Sequence, residues 1–279
     1  GAAFEIAPKI FESLGARVTT VCCEPDGMNI NEEGGATKPE RVQNLTKETG
    51  ADFGVAFDGD ADRAIFADRT GLLINGDRTL AIYAQYGLAS GELNPPAIVG
   101  TVMSNGGFER FLQDLGIELH RTPVGDKYVS RKLREIGGKA GGEQSGHLIF
   151  PEISATGDGI ATALMLLKVL RSSNQPLEVL ANSYDAWPQL LLNVTVEQRD
   201  NWDSRPTVRR ALDDAEQELE GRGRIVARAS GTQPMIRIMV EAECYDLRDR
   251  LADSILDAME KELGATLYSR VDLTHALGD

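Results

Sequence analysis

Apolar positions recur at helical spacing over residues 4–14, a β-branched run follows at 18–21, helical spacing returns at 39–49, and a short apolar run at 53–57 closes the series. Helix-spaced segments alternating with short β-branched runs predict parallel α/β architecture over residues 1–75. The rhythm then repeats, with a helix near 79–88, a strand at 97–102, a helix at 107–115 and strands near 117–121 and 148–150. A helix from about 158 to 170 closes this second unit, with Ile160, Ala163, Leu164 and Leu167 on one face. Polar residues and a proline at 172–176 interrupt the pattern, and Trp187-Pro188 breaks it again, which predicts a boundary near residue 188. Beyond it come a strand at 190–196, a helix at 207–219, strands at 223–229 and 235–241, and a helix at 247–263, the order of a small α+β domain. No fixed-period repeat or low-complexity tract interrupts this series. The chain of 279 residues exceeds one usual domain of roughly 100–200 residues, and the expected division is 1–75, 76–187 and 188–279.

Composition narrows the partners. A formal net charge of −14 argues against nucleic acid and against anionic membranes, both of which select an excess of Lys and Arg. An anionic substrate therefore needs locally concentrated positive groups. No apolar run approaches the roughly 20 residues that cross a bilayer. Cys22, Cys23 and Cys244 have neither metal-ligand nor disulfide-framework spacing, so a reducing cytoplasmic setting is expected. Gly1-Ala2-Ala3-Phe4 runs straight into a helical pattern without a basic leader or a cleavage signal, and a segment upstream is expected to be missing.

Three motifs carry chemistry. Asp58-Gly59-Asp60-Ala61-Asp62-Arg63 directly follows the apolar run 53–57. Carboxylates at alternate positions of a turn can converge on one hard cation, Mg²⁺ being the natural candidate, while Gly59 and Ala61 let the backbone curl. A solvated acidic turn is the alternative, and an EF-hand is disfavoured because no glutamate stands at the twelfth loop position. Arg63 would neutralise a phosphoryl group beside such a cation, or simply balance the acidic loop. In Gly141-Gly142-Glu143-Gln144-Ser145-Gly146-His147, a carboxylate, a hydroxyl and an imidazole flanked by glycines suit sugar hydroxyls, and a Gly-rich hairpin explains the glycines equally well. In Arg228-Ala229-Ser230-Gly231-Thr232-Gln233-Pro234, backbone N–H groups, hydroxyls and an arginine between two predicted strands form a phosphate cradle. Arg237 adds charge if it points the same way, and a Ser/Thr-rich turn is the alternative. Thr122-Pro123-Val124-Gly125-Asp126-Lys127-Tyr128 places Lys127 on a glycine turn and says little alone.

In series, the three motifs resemble those of the α-D-phosphohexomutase superfamily over nearly the whole chain. Gln144 between Glu143 and Ser145, the loop beginning at Thr122, and Thr156-Gly157-Asp158-Gly159 resemble the phosphoglucosamine mutase branch, whose members interconvert glucosamine 6-phosphate and glucosamine 1-phosphate for cell-wall precursors. The resemblance implies a multi-domain α/β fold: two mixed α/β three-layer domains and a smaller α+β C-terminal domain. It implies transfer from a phosphoserine through a sugar bisphosphate intermediate, with a phosphorylated hexosamine as substrate. It also implies that Asp58, Asp60 and Asp62 hold Mg²⁺ and that Arg63 contacts the phosphoserine. Glu143 and Ser145 would bind sugar hydroxyls, with Gly125, Asp126 and Lys127 in the adjoining substrate loop. Arg228, Ser230, Gly231, Thr232 and Arg237 would grip the distal phosphate, and His147 is the candidate proton carrier.

The departures matter as much. No Ser-His-Asn-Pro stretch, the family's phosphoserine loop, occurs in the sequence, Gln233 stands where many relatives carry glutamate, and Gly34-Gly35-Ala36-Thr37 replaces a more usual Cys-Gly-Ser-Thr. The expectation is a fragment whose catalytic serine lies in a missing N-terminal domain, so that the chain alone is inert. The reading leaves open a homodimer, and phosphoglucomutase or phosphomannomutase is the alternative activity. A phosphatase with an aspartate nucleophile and a non-catalytic sugar-phosphate-binding protein are the alternatives from other classes.

Overall fold

The computed structural model describes residues 1–197, 200–230 and 234–275. Two helices, α1 (Ile6–Ser13) and α2 (Glu40–Thr49), precede a sheet of order β1 (Phe53–Phe57), β2 (Ala64–Asp68), β3 (Leu73–Ile74). The chain continues through α3 (Gly76–Ser90), β4 (Ala97–Thr101), α4 (Gly106–Asp114), β5 (Glu118–Thr122), α5 (Asp126–Ile136), β6 (Gly141–Gly142), β7 (Leu148–Ile149), α6 (Gly159–Ser173) and α7 (Leu177–Ala181). The last stretch holds β8 (Gln189–Thr195), α8 (Pro206–Glu218), β9 (Gly223–Ala229), β10 (Met235–Ala242), α9 (Tyr245–Leu263) and β11 (Thr266–Asp272). Contacts divide the described residues into two units, one of residues 1–104 with 108–184, the other of 105–107 with 185–275.

In the first unit, β1 and β2 form an antiparallel hairpin with Phe57 opposite Ala64, and β3 adds antiparallel to β2. The parallel arrangement expected for residues 1–75 is thus corrected. The connection 58–63 is too short for a parallel crossover, which needs about a dozen residues, and Ala64-Ile65-Phe66-Ala67 returns at once as a wholly buried strand. Residues 18–21 form no strand, a second correction. Their β-branched side chains favour extended backbone, but a strand also needs a neighbour for its N–H and C=O groups, and none pairs with this run. The outer edge of β1 likewise carries no strand among the described residues, and an open trough of about 2350 Å³ runs between residues 16–24 and β1.

The second sheet, of order β5-β4-β6-β7, pairs β4 in parallel with β5 and β6, whereas β6 and β7 close an antiparallel hairpin. Helix α6 buries Ala163, Leu166 and Val169 against Phe66 and Ile74 of the first sheet and Phe11 of α1. Leu80 and Ala84 of α3 pack with Ile98, Phe108, Leu112 and Leu148 into a separate core.

The second unit is an antiparallel sheet of order β11-β8-β10-β9, with α8 and α9 supplying Leu212, Leu251 and Ile255 to a core that holds Leu192, Ile238 and Val240. A fully buried carboxylate, Glu241, accepts from Arg224 Nε at 2.8 Å, Gln189 Nε2 at 2.5 Å and the Gly106 N–H at 3.0 Å. Such pairing is what keeps an ionised group tolerable away from water.

Candidate functional site

The acidic loop is the connection of the β1–β2 hairpin, so two paired strands fix both its ends. One carboxylate oxygen from each of Asp58, Asp60 and Asp62 lies within 4.8 Å of the others. Asp58 is buried, and its Oδ1 accepts from the Arg63 N–H at 3.1 Å. The Arg63 guanidinium Nε stands 3.1 Å from Asp58 Oδ2 and 3.7 Å from Asp62 Oδ1. Ala61 adopts a left-handed conformation, φ +64°, which lets Asp60 and Asp62 turn toward Asp58.

The Asp62 carboxyl is pushed above its ordinary range, first by burial, then by the shared hydrogen bond and charge of Asp58 and by Asp60, with His147 pulling the other way. Its Oδ1 is buried without a hydrogen-bond partner. An all-oxygen, strongly anionic set with one unsatisfied buried oxygen fits a hard divalent cation, whose charge would relieve the mutual repulsion.

The sugar-loop motif sits on the β6–β7 hairpin, beside the acidic loop. The Ala64 N–H donates to Gly146 O at 3.1 Å, joining this hairpin to the start of β2. A Cβ at Gly146, φ +93°, would lie 2.5 Å from Ala64 O, so here glycine serves close packing of two loops. The His147 Nδ1 stands 3.2 Å from Asp62 Oδ2. Its Nε2 is buried without a partner. Glu143 Oε1 accepts from the Gly125 N–H at 2.8 Å, which ties the loop at 122–128 to the sugar motif. Lys127, exposed on the first turn of α5, has its ammonium 4.9 Å from the centre of the Tyr128 ring, and Asp126 beside it is also exposed. Ser145 is half-buried, and Gln144 is buried with its Oε1 unpartnered.

One unit therefore brings together Asp58, Asp60, Asp62, Arg63, Glu143, Ser145, His147 and the loop at Gly125. The other holds Arg228 at the end of β9, Ser230 just beyond it and Arg237 on β10. Gly231 and Thr232, expected in the phosphate cradle, lie outside the described residues. The register pairs Arg228 with Arg237, Arg237 with Asn193 and Asn193 with Ser269, one polar row across all four strands. Asn193 escaped the sequence reading because one polar residue in an alternating strand gives no local signal. The segment 156–159, noted only for its resemblance, proves to lie against the acidic loop, with the Gly159 N–H donating to Ala61 O at 2.8 Å.

Fold and site together define a multi-domain α/β protein with a loop of three converging carboxylates on one sheet and an arginine-bearing strand pair on another. Models of the phosphoglucomutase/phosphomannomutase family match nearly the whole of it: alpha/beta/alpha domain II over residues 1–71, alpha/beta/alpha domain III over 75–186 and the C-terminal domain over 191–258. The chain belongs to this family. It is 45% identical over 261 residues to a phosphoglucosamine mutase of Phenylobacterium zucineum, covering 94% of this chain and 58% of that protein. A phosphoglucosamine mutase of Desulfovibrio desulfuricans is 44% identical over 263 residues, with the same 94% and 58% coverage. The chain thus spans less than two thirds of the length of these curated relatives. A phosphoglucomutase/phosphomannomutase family protein of Burkholderia thailandensis superposes with a TM-score of 0.77 at 26% identity, over 96% of this chain and 60% of that one. The Aspergillus fumigatus N-acetylphosphoglucosamine mutase in complex with GlcNAc-6P and magnesium shares the fold, with a TM-score of 0.58 at 23% identity, over 73% and 48% of the two chains.

Proposed function

We propose that this chain is the cation-, sugar- and phosphate-binding part of a phosphoglucosamine mutase, interconverting glucosamine 6-phosphate and glucosamine 1-phosphate through a bisphosphate. The observation that carries the reading is the joining of the acidic loop to the sugar motif, through Ala64 to Gly146 and His147 to Asp62. The names of relatives at 42–45% identity support glucosamine as the sugar.

Asp58, Asp60 and Asp62 would hold Mg²⁺, which supplies Lewis-acid charge to a phosphoryl oxygen when bound. Arg63, fixed on Asp58, presents a guanidinium beside that position. Glu143 keeps one oxygen on the Gly125 N–H and offers the other to a sugar hydroxyl, with Ser145 as a second polar contact and Asp126 and Lys127 at the rim of the same loop. Arg228, Ser230 and Arg237, with Gly231 and Thr232, bind a phosphate dianion through charge-assisted hydrogen bonds. The phosphoryl carrier is assigned to a serine outside these residues, because the family's phosphoserine motif is not in this sequence. The open edge of β1 and the trough beside it suit the packing of that further polypeptide.

The test is calorimetric titration of the chain, with Mg²⁺ present, against glucosamine 6-phosphate, glucose 6-phosphate and mannose 6-phosphate. The expected order puts the amino sugar tightest. Preference for glucose or mannose phosphate would move the assignment to phosphoglucomutase or phosphomannomutase, and no binding of any would overturn it.

A further inference from the structure

Helix α3 starts against the turn of the sugar loop. It leaves β3 after the single residue Asn75, which caps it: Asn75 Oδ1 accepts from the Arg78 N–H at 3.1 Å, and Asn75 O accepts from Thr79 Oγ1 at 2.9 Å. Arg78 Nη1 donates to Ala181 O at 2.5 Å, and Asn75, Asp77, Arg78 and Thr79 are all buried. A polar run buried and bonded in this way holds the helix start rigidly.

The first residue of the helix meets the turn of the β6–β7 hairpin. The Gly76 N–H donates to Gln144 O at 2.9 Å, and within the turn the Gly146 N–H donates to Glu143 O at 3.0 Å. A Cβ at Gly76 would lie 1.9 Å from Glu143 O and 3.1 Å from Gly146 N, the two atoms of that closing hydrogen bond. Side chains do not approach so closely, so any other residue at 76 would push the turn away or open it. Gly76 has helical rather than left-handed backbone, and helix propensity there favours alanine. It is therefore the turn, not the helix, that demands glycine. From the same sheet, the Ala64 N–H holds Gly146 O, while the Glu143 carboxylate is held by the Gly125 N–H at 2.8 Å. The backbone and the side chain of Glu143 are thus fixed separately.

We propose that Gly76 is a positioning residue for the sugar site: its N–H and its missing side chain seat the Glu143–Gly146 turn so that the Glu143 carboxylate and the Ser145 hydroxyl are aligned, before ligand arrives, on the sugar hydroxyls of the hexosamine phosphate. This rests on reading residues 141–147 as the loop that binds the sugar. Gly76 acts only through Glu143 and Ser145, so its effect is confined to the sugar's share of the affinity. Phosphate binding, assigned to Arg228 and Arg237, should not depend on it.

The experiment is calorimetric titration of the full chain, with Mg²⁺ present, against glucosamine 6-phosphate and against inorganic phosphate. Gly76→Ala is expected to weaken glucosamine 6-phosphate binding about tenfold or more, the scale of a misaligned hydrogen bond to a charged group, and to leave inorganic phosphate binding unchanged. In a background carrying both Glu143→Ala and Ser145→Ala, Gly76→Ala should have no further effect, since the side chains it misplaces are gone. Hydrogen exchange on the wild-type chain decides the question even if Gly76→Ala fails to fold: the Gly76 and Gly146 amides should be protected without ligand, because the turn is already seated. Wild-type glucosamine 6-phosphate affinity in Gly76→Ala, an equal loss for inorganic phosphate, an added loss in the background without both side chains, or fast exchange of the two amides in the ligand-free chain would overturn the proposal. A wild-type chain that binds glucosamine 6-phosphate no more tightly than inorganic phosphate would instead overturn the sugar-loop reading beneath it.

Discussion

Arg228 of β9 and Arg237 of β10 lie directly opposite one another in an antiparallel ladder, so their side chains rise from the same face of the sheet. Like charges in that relation repel unless an anion lies between them. The Arg237 Nε is buried without a hydrogen-bond partner. In an acidic chain, two arginines at opposed register positions, one with an unsatisfied Nε, are suited to an anion.

From this pair follows the first prediction. Inorganic phosphate should raise the melting temperature of the wild-type chain, and Arg237→Met should abolish that rise while leaving the phosphate-free protein as stable or more so. Arg228→Ala should weaken sugar-phosphate affinity about ten- to a hundredfold, the range for losing a hydrogen bond to a charged group. Unchanged affinity in both variants would remove phosphate binding from this face.

Cation binding should depend on all three carboxylates. Asp58→Asn, Asp60→Asn and Asp62→Asn are each expected to reduce Mn²⁺ affinity by more than roughly a hundredfold, beyond the range for an outer-shell partner. Without metal, Asp62→Asn should stabilise the protein, because burial and its acidic neighbours already disfavour the ionised carboxyl. Opposite signs with and without metal distinguish a cation site from a solvated acidic turn.

Gly146→Ala should disturb both loops at once. Its φ of +93° disfavours a side chain, and the new Cβ would press on Ala64 O at 2.5 Å. A loss of about 1–3 kcal/mol in denaturant unfolding is expected. Retained stability would mean that the hairpin and β2 separate more easily than their contact implies.

In the second unit, Arg248 is buried, with Nη1 2.7 Å from Asp272 and Nη2 2.7 Å from Asp249, joining α9 to β11. Burial pushes the Asp272 carboxyl up, but hydrogen bonds from Thr274 and Arg248 outweigh it and hold the group below its ordinary value. A depressed carboxyl stabilises the fold above about pH 4 and loses that contribution as pH falls through its folded value. Asp272→Asn should therefore lower the melting temperature at pH 7 by about 2 °C, for a half-exposed pair worth about 1 kcal/mol, with the difference closing in acid. Arg248→Ala should cost about 1–2 kcal/mol, since it removes both ion pairs but leaves carboxylates that water reaches, Asp249 still paired with Arg270.

Much of this protein was legible in the chain because the signals are local. The spacing of apolar residues marked the helices at Ile6–Ser13, Glu40–Thr49, Gly159–Ser173 and Tyr245–Leu263, and the loop of alternate aspartates stood out by composition alone. Pairing was not local. Whether β1 found its partner upstream or in Ala64–Asp68 depended on which strand closed the hairpin, and the β-branched run at 18–21 stayed unpaired because nothing lay beside it. Helix α5 was missed because Asp126–Ile136 is mostly charged, with only a narrow apolar stripe at Val129 and Leu133.

The sequence by itself determined which groups were present: three aspartates, an imidazole, three arginines and the glycines around them. Tertiary structure alone decided that Arg237 faces Arg228, that His147 turns toward Asp62, and that Gly157 lies against the imidazole. The physical reason is that residue type fixes charge and conformational freedom, whereas register and contact arise only when segments far apart in the chain pack together and exclude every other neighbour.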